Sequence, residues 1–192
     1  MSIVRQIPNM LSAARIAAAP LLLWLMVADQ QRGFALVMAA AFASDILDGA
    51  IARRFGLVSE LGSLLDSVAD ILLFLAVALG VWHFATAIHS YLPVFLLVVG
   101  AWVGVSLVGF LRYGRLASFH TLLTRLSATF LGIFILALLF FGFVPWLFWT
   151  SVALVVVSQA EELVLIALLP RWTPNVPSLH WYFRKVGADV SP

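Results

Sequence analysis

Six apolar stretches of roughly twenty residues each, separated by breaks of two to eight residues, govern what this chain can fold into. A helix needs about 20 mainly apolar residues to cross the hydrocarbon core of a bilayer. The stretches 9–28, 33–53, 62–84, 91–112, 121–143 and 146–169 meet that length. In lipid every backbone group must find its partner within the protein, so runs like these form helices. Breaks this short force neighbouring helices antiparallel. The expected fold is all-α: a polytopic integral membrane protein with a six-helix transmembrane bundle over 1–170 and a cytoplasmic C-terminal tail over 171–192. The chain is 64% hydrophobic and 10% charged, against about 45–50% and about 25% in soluble domains. That balance excludes a soluble enzyme, a disordered protein and a nucleic-acid-binding domain, so no nucleic-acid partner is expected. The absence of cysteine excludes disulfides and thiolate metal sites. Arg5 before an apolar run has the look of a secretory leader. The run is a full span, however, and carries Asn9, Ser12, Arg15 and Pro20 inside it; it is read as the first helix.

Orientation follows from the positive residues. An even number of passes puts both termini and the loops after the second and fourth helices on one side. That side holds Arg5, Arg53, Arg54, Arg112, Arg115, Arg171, Arg184 and Lys185, with Arg15 and Arg125 close by, and the other side holds Arg32. The bias makes the first side cytoplasmic, and a bacterial inner membrane is the expected location. Trp82, Trp146 and Trp149 fall near the outer boundary and Trp172 near the inner one, as interfacial anchors do.

The chain has nine acidic residues, and four of them are aspartates at 45, 48, 66 and 70. A carboxylate inside a helix bundle is costly and marks a functional site. On the second helix Asp45, Asp48, Gly49, Ala52 and Arg53 stand at i, i+3, i+4, i+7 and i+8, which is one face. On the third, Gly62, Asp66 and Asp70 stand at i, i+4 and i+8, again one face. The intervening loop turns the chain back, so the two faces oppose each other near the cytoplasmic boundary. Hard divalent cations take oxygen ligands and suit such a cluster. Two of them, Mg²⁺ or Mn²⁺, would offset four negative charges and form the two-metal arrangement used for phosphoryl displacement. A lone aspartate or glycine in a membrane helix is often a packing residue; eight such residues in one frame are not explained that way.

The run Asp45-x-x-Asp48-Gly49-x-x-Ala52-Arg53, then eight residues, then Gly62-x-x-x-Asp66-x-x-x-Asp70 resembles the motif of the CDP-alcohol phosphatidyltransferases in every defined position. The six-helix layout resembles that family as well. The resemblance implies a phospholipid-biosynthetic enzyme that moves a phosphatidyl group from a CDP-linked lipid donor, CDP-diacylglycerol, to an alcohol and releases CMP. It implies that Asp45, Asp48, Asp66 and Asp70 hold the metal ions and that Asp70 is also the catalytic base for the attacking hydroxyl. Gly49, Ala52, Arg53 and Gly62 would line the nucleotide and diphosphate side. Homodimers are common in the family, so a homodimer is expected on resemblance alone.

Pro8-Asn9-x-Leu11-Ser12-x-x-Arg15 is similar to the first-helix pattern of phosphatidylglycerophosphate synthases, which implies that Asn9 and Ser12 reach the cytidine. Arg112, Arg115 and Arg125 are candidates for binding the phosphate of an acceptor such as glycerol 3-phosphate, against a plain anchoring role. That subfamily carries Gly-Lys-x-Lys-Thr at the start of its fifth helix. This chain reads Ser118-Phe119-His120-Thr121-Leu122-Leu123-Thr124-Arg125 instead, which leaves inositol phosphate, serine or phosphatidylglycerol open as acceptors. Glu161 and Glu162 are expected to pair with Arg112, Arg115 or Arg125, and His83 and His89 to have no chemical role. A non-enzymatic divalent-cation transporter would explain the carboxylates, but not the glycines, Ala52 and Arg53 in this frame, and it would favour carboxylates at mid-membrane depth.

Overall fold

The structure is a computed structural model that describes residues 7–55, 60–114, 121–169, 176 and 178–189. The described residues form helices α1 (Ile7–Val27), α2 (Gln31–Phe55), α3 (Glu60–Phe84), α4 (Thr86–His89), α5 (Leu92–Tyr113), α6 (Leu122–Phe141), α7 (Pro145–Leu168) and α8 (Leu179–Asp189). The six long helices lie where the apolar runs place them. Five of them, α1, α3, α5, α6 and α7, are long and apolar enough to cross a membrane. α2 matches them in length, but Arg32, Asp45, Asp48, Arg53 and Arg54 lower its hydropathy. The fold is a polytopic helical bundle. Two elements go beyond the expectation: α4 in the connection after α3, and α8 within the tail.

Local chemistry sets the helix ends. Pro93 and Pro145 sit in the first turns of α5 and α7, where a missing N–H costs nothing. α5 ends at Gly114, whose φ of 67° reaches the left-handed region open to glycine. α1 ends the same way at Asp29, with φ 54°, while the Gln30 amide donates to Leu25 O at 2.8 Å. Aspartate tolerates that conformation better than most side chains. The Asp29 carboxylate then meets His83 Nε2 at 3.3 Å, so this histidine fastens a turn.

The chain divides into two compact units. The first comprises residues 1–90 and 135–143. In it α1 packs against both α2 and α3, around Leu22, Phe34, Ala35, Met38, Ala69 and Leu73, all buried. Gln31 Nε2 donates to Leu139 O at 2.7 Å, so an otherwise unpaired donor is satisfied by residue 139 of the same unit. Gly80 makes the α2–α3 approach possible. A Cβ there would lie 2.1 Å from the tip of the Phe34 ring, and that ring is fully buried. Gly80→Ala is therefore expected to overpack this contact and cost about 1–3 kcal/mol, seen as a lower thermal midpoint in detergent. An unchanged midpoint would mean that Phe34 rotates away freely.

The second unit holds residues 91–134 and 144–192. α5 packs on α7, and α8 returns to α7. Val105, Leu165, Ile166, Leu169 and Val176 form its core, with Tyr113, Leu179 and Tyr182 against them. Small hydroxyls join α6 to α7: Ser158 Oγ donates to Ser127 Oγ at 3.0 Å and Ser151 Oγ to Phe130 O at 3.1 Å. Such contacts hold helices together where lipid removes the hydrophobic drive between them.

Candidate functional site

Asp45 sits in the second half of α2, and Asp66 and Asp70 are one turn apart on α3. Because i and i+4 share a helix face, the two α3 carboxylates point the same way. The packing of α1 against α2 and α3 brings Asp45 to them. One oxygen of each of the three carboxylates lies within 4.8 Å of the others. Their side chains are 30–51% exposed, so the cluster opens at the edge of the first unit.

A fourth side chain completes the group. Arg15, 1% exposed, projects from α1 into the carboxylates. Its Nη1 donates to Asp45 Oδ1 at 2.5 Å and to Asp70 Oδ1 at 2.9 Å, and its Nη2 donates to Asp66 Oδ1. Ser12 Oγ accepts from Nη2 at 3.4 Å, one turn earlier on the same helix. Charge-assisted bonds of this kind are about twice as strong as neutral ones. A buried guanidinium requires them, because an uncompensated charge in a bundle is strongly destabilising. The sequence puts Arg15 near the cytoplasmic side but does not tie it to the carboxylates. The available signal was an arginine one turn after Ser12 within an apolar run, the same signal noted for Arg125.

The donor set fits a hard divalent cation. All three groups are carboxylates, and metal–oxygen distances of about 2.0–2.6 Å put ligand oxygens on one ion up to 4–5 Å apart, which matches the observed spacing. Asp48, Gly49, Ala52 and Arg53 continue α2, Gly62 lies in the first turn of α3, and Asn9 lies in α1. The side chains at these positions lie outside the described residues. Ser12, expected at the cytidine, is 3% exposed and faces Arg15.

The second unit carries the remaining candidates. Arg112 Nη2 donates to Ala167 O at 3.2 Å and to Leu169 O at 3.3 Å, the last carbonyls of α7. A cation there complements the negative end of the helix dipole. The hydroxyl of Tyr113 joins it, 3.1 Å from Ile166 O and 3.0 Å from Leu169 O. Arg125 is exposed on α6, while Arg115 and His120 lie outside the described residues. Glu161 was expected to take an arginine partner. Its Oε2 instead accepts from Thr121 Oγ1 at 2.8 Å and its Oε1 from the Leu179 amide at 2.9 Å. The carboxylate thus caps the first turn of α8 and satisfies an orphan N–H there.

A family model for CDP-alcohol phosphatidyltransferase matches residues 5–157. The chain is 47% identical over 83 residues to a cardiolipin synthase (CMP-forming) of Streptomyces coelicolor, covering 40% of this chain and 39% of that protein. It is 34% identical over 113 residues to a cardiolipin synthase (CMP-forming) / mitochondrial hydrolase fusion protein of Schizosaccharomyces pombe, covering 57% of this chain and 18% of the relative. It is 38% identical over 76 residues to a CDP-diacylglycerol–glycerol-3-phosphate 3-phosphatidyltransferase of Rickettsia bellii, covering 38% of this chain and 42% of the relative. The matched stretch is less than half the length of each of these relatives. No solved structure matches the chain.

Proposed function

The chain belongs to the CDP-alcohol phosphatidyltransferase family, and from that premise we propose that it transfers a phosphatidyl group from CDP-diacylglycerol to an alcohol and releases CMP. The observation that carries this reading is the convergence of Asp45, Asp66 and Asp70 from two helices onto one point. Asp45, Asp48, Asp66 and Asp70 would hold two divalent cations, Mg²⁺ or Mn²⁺, which when bound would supply charge neutralisation at the diphosphate and at the departing phosphate. Asp70 takes the proton of the acceptor hydroxyl. The hydroxyl oxygen forms a bond to the phosphatidyl phosphorus, the bond from that phosphorus to the CMP oxygen breaks, and CMP leaves with the electron pair. A positioned general base contributes about 10²–10⁴-fold in rate. Gly49, Ala52 and Gly62 leave room for the nucleotide and diphosphate against the backbone, Arg53 pairs with the diphosphate, and Asn9 meets the cytidine. Ser12 supports Arg15. The site faces the cytoplasm, in line with the arginine-rich loops.

The acceptor we propose is a lipid alcohol of the phosphatidylglycerol type. The cardiolipin-synthase relatives favour it. So does Arg112, whose guanidinium already donates to the α7 carbonyls of Ala167 and Leu169. Glycerol 3-phosphate is the second reading, favoured by the Rickettsia bellii relative, with the exposed Arg125 as its phosphate partner. One experiment separates them. Purified protein is given CDP-diacylglycerol with phosphatidylglycerol, glycerol 3-phosphate, serine or inositol phosphate, and CMP release is followed. Phosphatidylglycerol is expected to give the highest rate, with cardiolipin as the product. A faster reaction with glycerol 3-phosphate supports the second reading, and no CMP release with any acceptor overturns the enzyme reading.

A further inference from the structure

Arginine keeps its charge at any physiological pH, so a buried arginine needs fixed negative partners. Arg15 is two turns into an apolar helix and 1% exposed. Its partners lie 30, 51 and 55 residues away along the chain, on α2 and α3. Nη1 bridges Asp45 and Asp70, and Nη2 takes Asp66. One guanidinium therefore ties together the three carboxylates that offer ligand atoms within 4.8 Å of one another. As formal charges, three carboxylates and one guanidinium leave two negative charges.

We propose that Arg15 is the resident counter-cation of this cluster, a positioning residue that holds Asp45, Asp66 and Asp70 together before a divalent cation binds and competes with that cation for their oxygens. The proposal rests on the metal reading above. A guanidinium nitrogen within hydrogen-bond distance of these oxygens and an ion coordinated by them are like charges a few ångströms apart, and they repel. Ion binding is then an exchange. The aspartates release Arg15 as they close on the ion, and Ser12 Oγ, already 3.4 Å from Nη2, remains as a partner on the same helix. Two consequences oppose each other. Arg15 keeps the ion-free cluster assembled against carboxylate repulsion, and it lowers the affinity for the ion.

A purely structural arginine would show the first consequence without the second. The full chain, purified in detergent, is titrated with Mn²⁺ by the electron paramagnetic resonance signal of the free ion. Its thermal midpoint is measured with and without Mn²⁺. Arg15→Met keeps most of the side-chain length and removes the charge. It is expected to lower the ion-free midpoint and to bind Mn²⁺ about tenfold tighter or more, with a larger gain in midpoint at saturating Mn²⁺. Arg15→Lys keeps the charge but not the two-nitrogen fork, so its Mn²⁺ affinity is expected between wild type and Arg15→Met. Unchanged or weaker Mn²⁺ binding by Arg15→Met overturns the proposal. If Arg15→Met does not fold, Arg15→Lys decides in the same way: tighter binding supports the proposal, unchanged or weaker binding overturns it. Binding that the substitutions do not change overturns the counter-cation alone. A wild-type protein that binds no Mn²⁺ overturns the metal reading and this proposal together.

Discussion

Replacing any one of Asp45, Asp48, Asp66 or Asp70 by asparagine is expected to cut CMP release by about 10³-fold or more while the protein still inserts and elutes as wild type. Asparagine keeps the shape of the side chain and removes its charge. For Asp45, Asp66 and Asp70 the neighbours lose an anion that lies within 4.8 Å of two others, so ligand count and charge balance fail at once. Asp70→Asn in addition removes the base, a loss of about 10²–10⁴-fold by itself. The fold tolerates the change because two carboxylates still meet Arg15 in each of these three variants. CMP release on vesicles containing CDP-diacylglycerol measures the effect, with circular dichroism as the control for folding. Near wild-type turnover in two or more of the four variants would sink the two-metal reading.

The helices were legible because span length is a property of contiguous residues. A bilayer demands about twenty apolar residues in a row, and nothing distant can substitute for them. The carboxylate face was legible for a related reason: Asp66 and Asp70 are four apart on one helix, and periodicity alone puts them side by side. Arg15 shows where that reasoning ends. Its partners are 30 to 55 residues away, and they are chosen by how α1 packs against α2 and α3. No spacing within α1 encodes that choice. The same holds for Glu161, whose partners Thr121 and Leu179 belong to other segments. Charge alone points Glu161 to an arginine, whereas a nearby hydroxyl and a helix-start amide satisfy it. α8 went unread because Leu179–Asp189 is too short and too polar to register as a span. It is fixed instead by the packing of Leu179 and Tyr182 on the α5–α7 core.

Chelation of divalent ions is expected to weaken donor capture as well as turnover, and the electrostatics of the cluster give the reason. Asp45, Asp66 and Asp70 carry three formal negative charges and Arg15 offsets one of them. The diphosphate of a CDP-lipid brings about two more. Like charges about 4 Å apart repel by about 4 kcal/mol per pair at an effective dielectric of 20, and by less at the half-exposed Asp45, where solvent screens the pair. Arg15 cannot answer both the aspartates and the donor, since its Nη atoms are already divided among three carboxylates. Without added positive charge the aspartates turn the diphosphate away. Protein treated with EDTA should therefore lose about 10³-fold or more in CMP release and at least tenfold in affinity for CDP-diacylglycerol, an energy of about 1.4 kcal/mol. Both should return on adding Mg²⁺ or Mn²⁺. Binding of a fluorescent CDP-lipid, measured beside CMP release, separates the two effects. Full donor binding after chelation would assign the ions to the chemical step alone, and full turnover in EDTA would remove them from the mechanism. Asp66→Asn serves as the internal control. Its lost activity should not return at any Mg²⁺ concentration that restores the chelated wild type, because the missing element is then the ligand and not the ion.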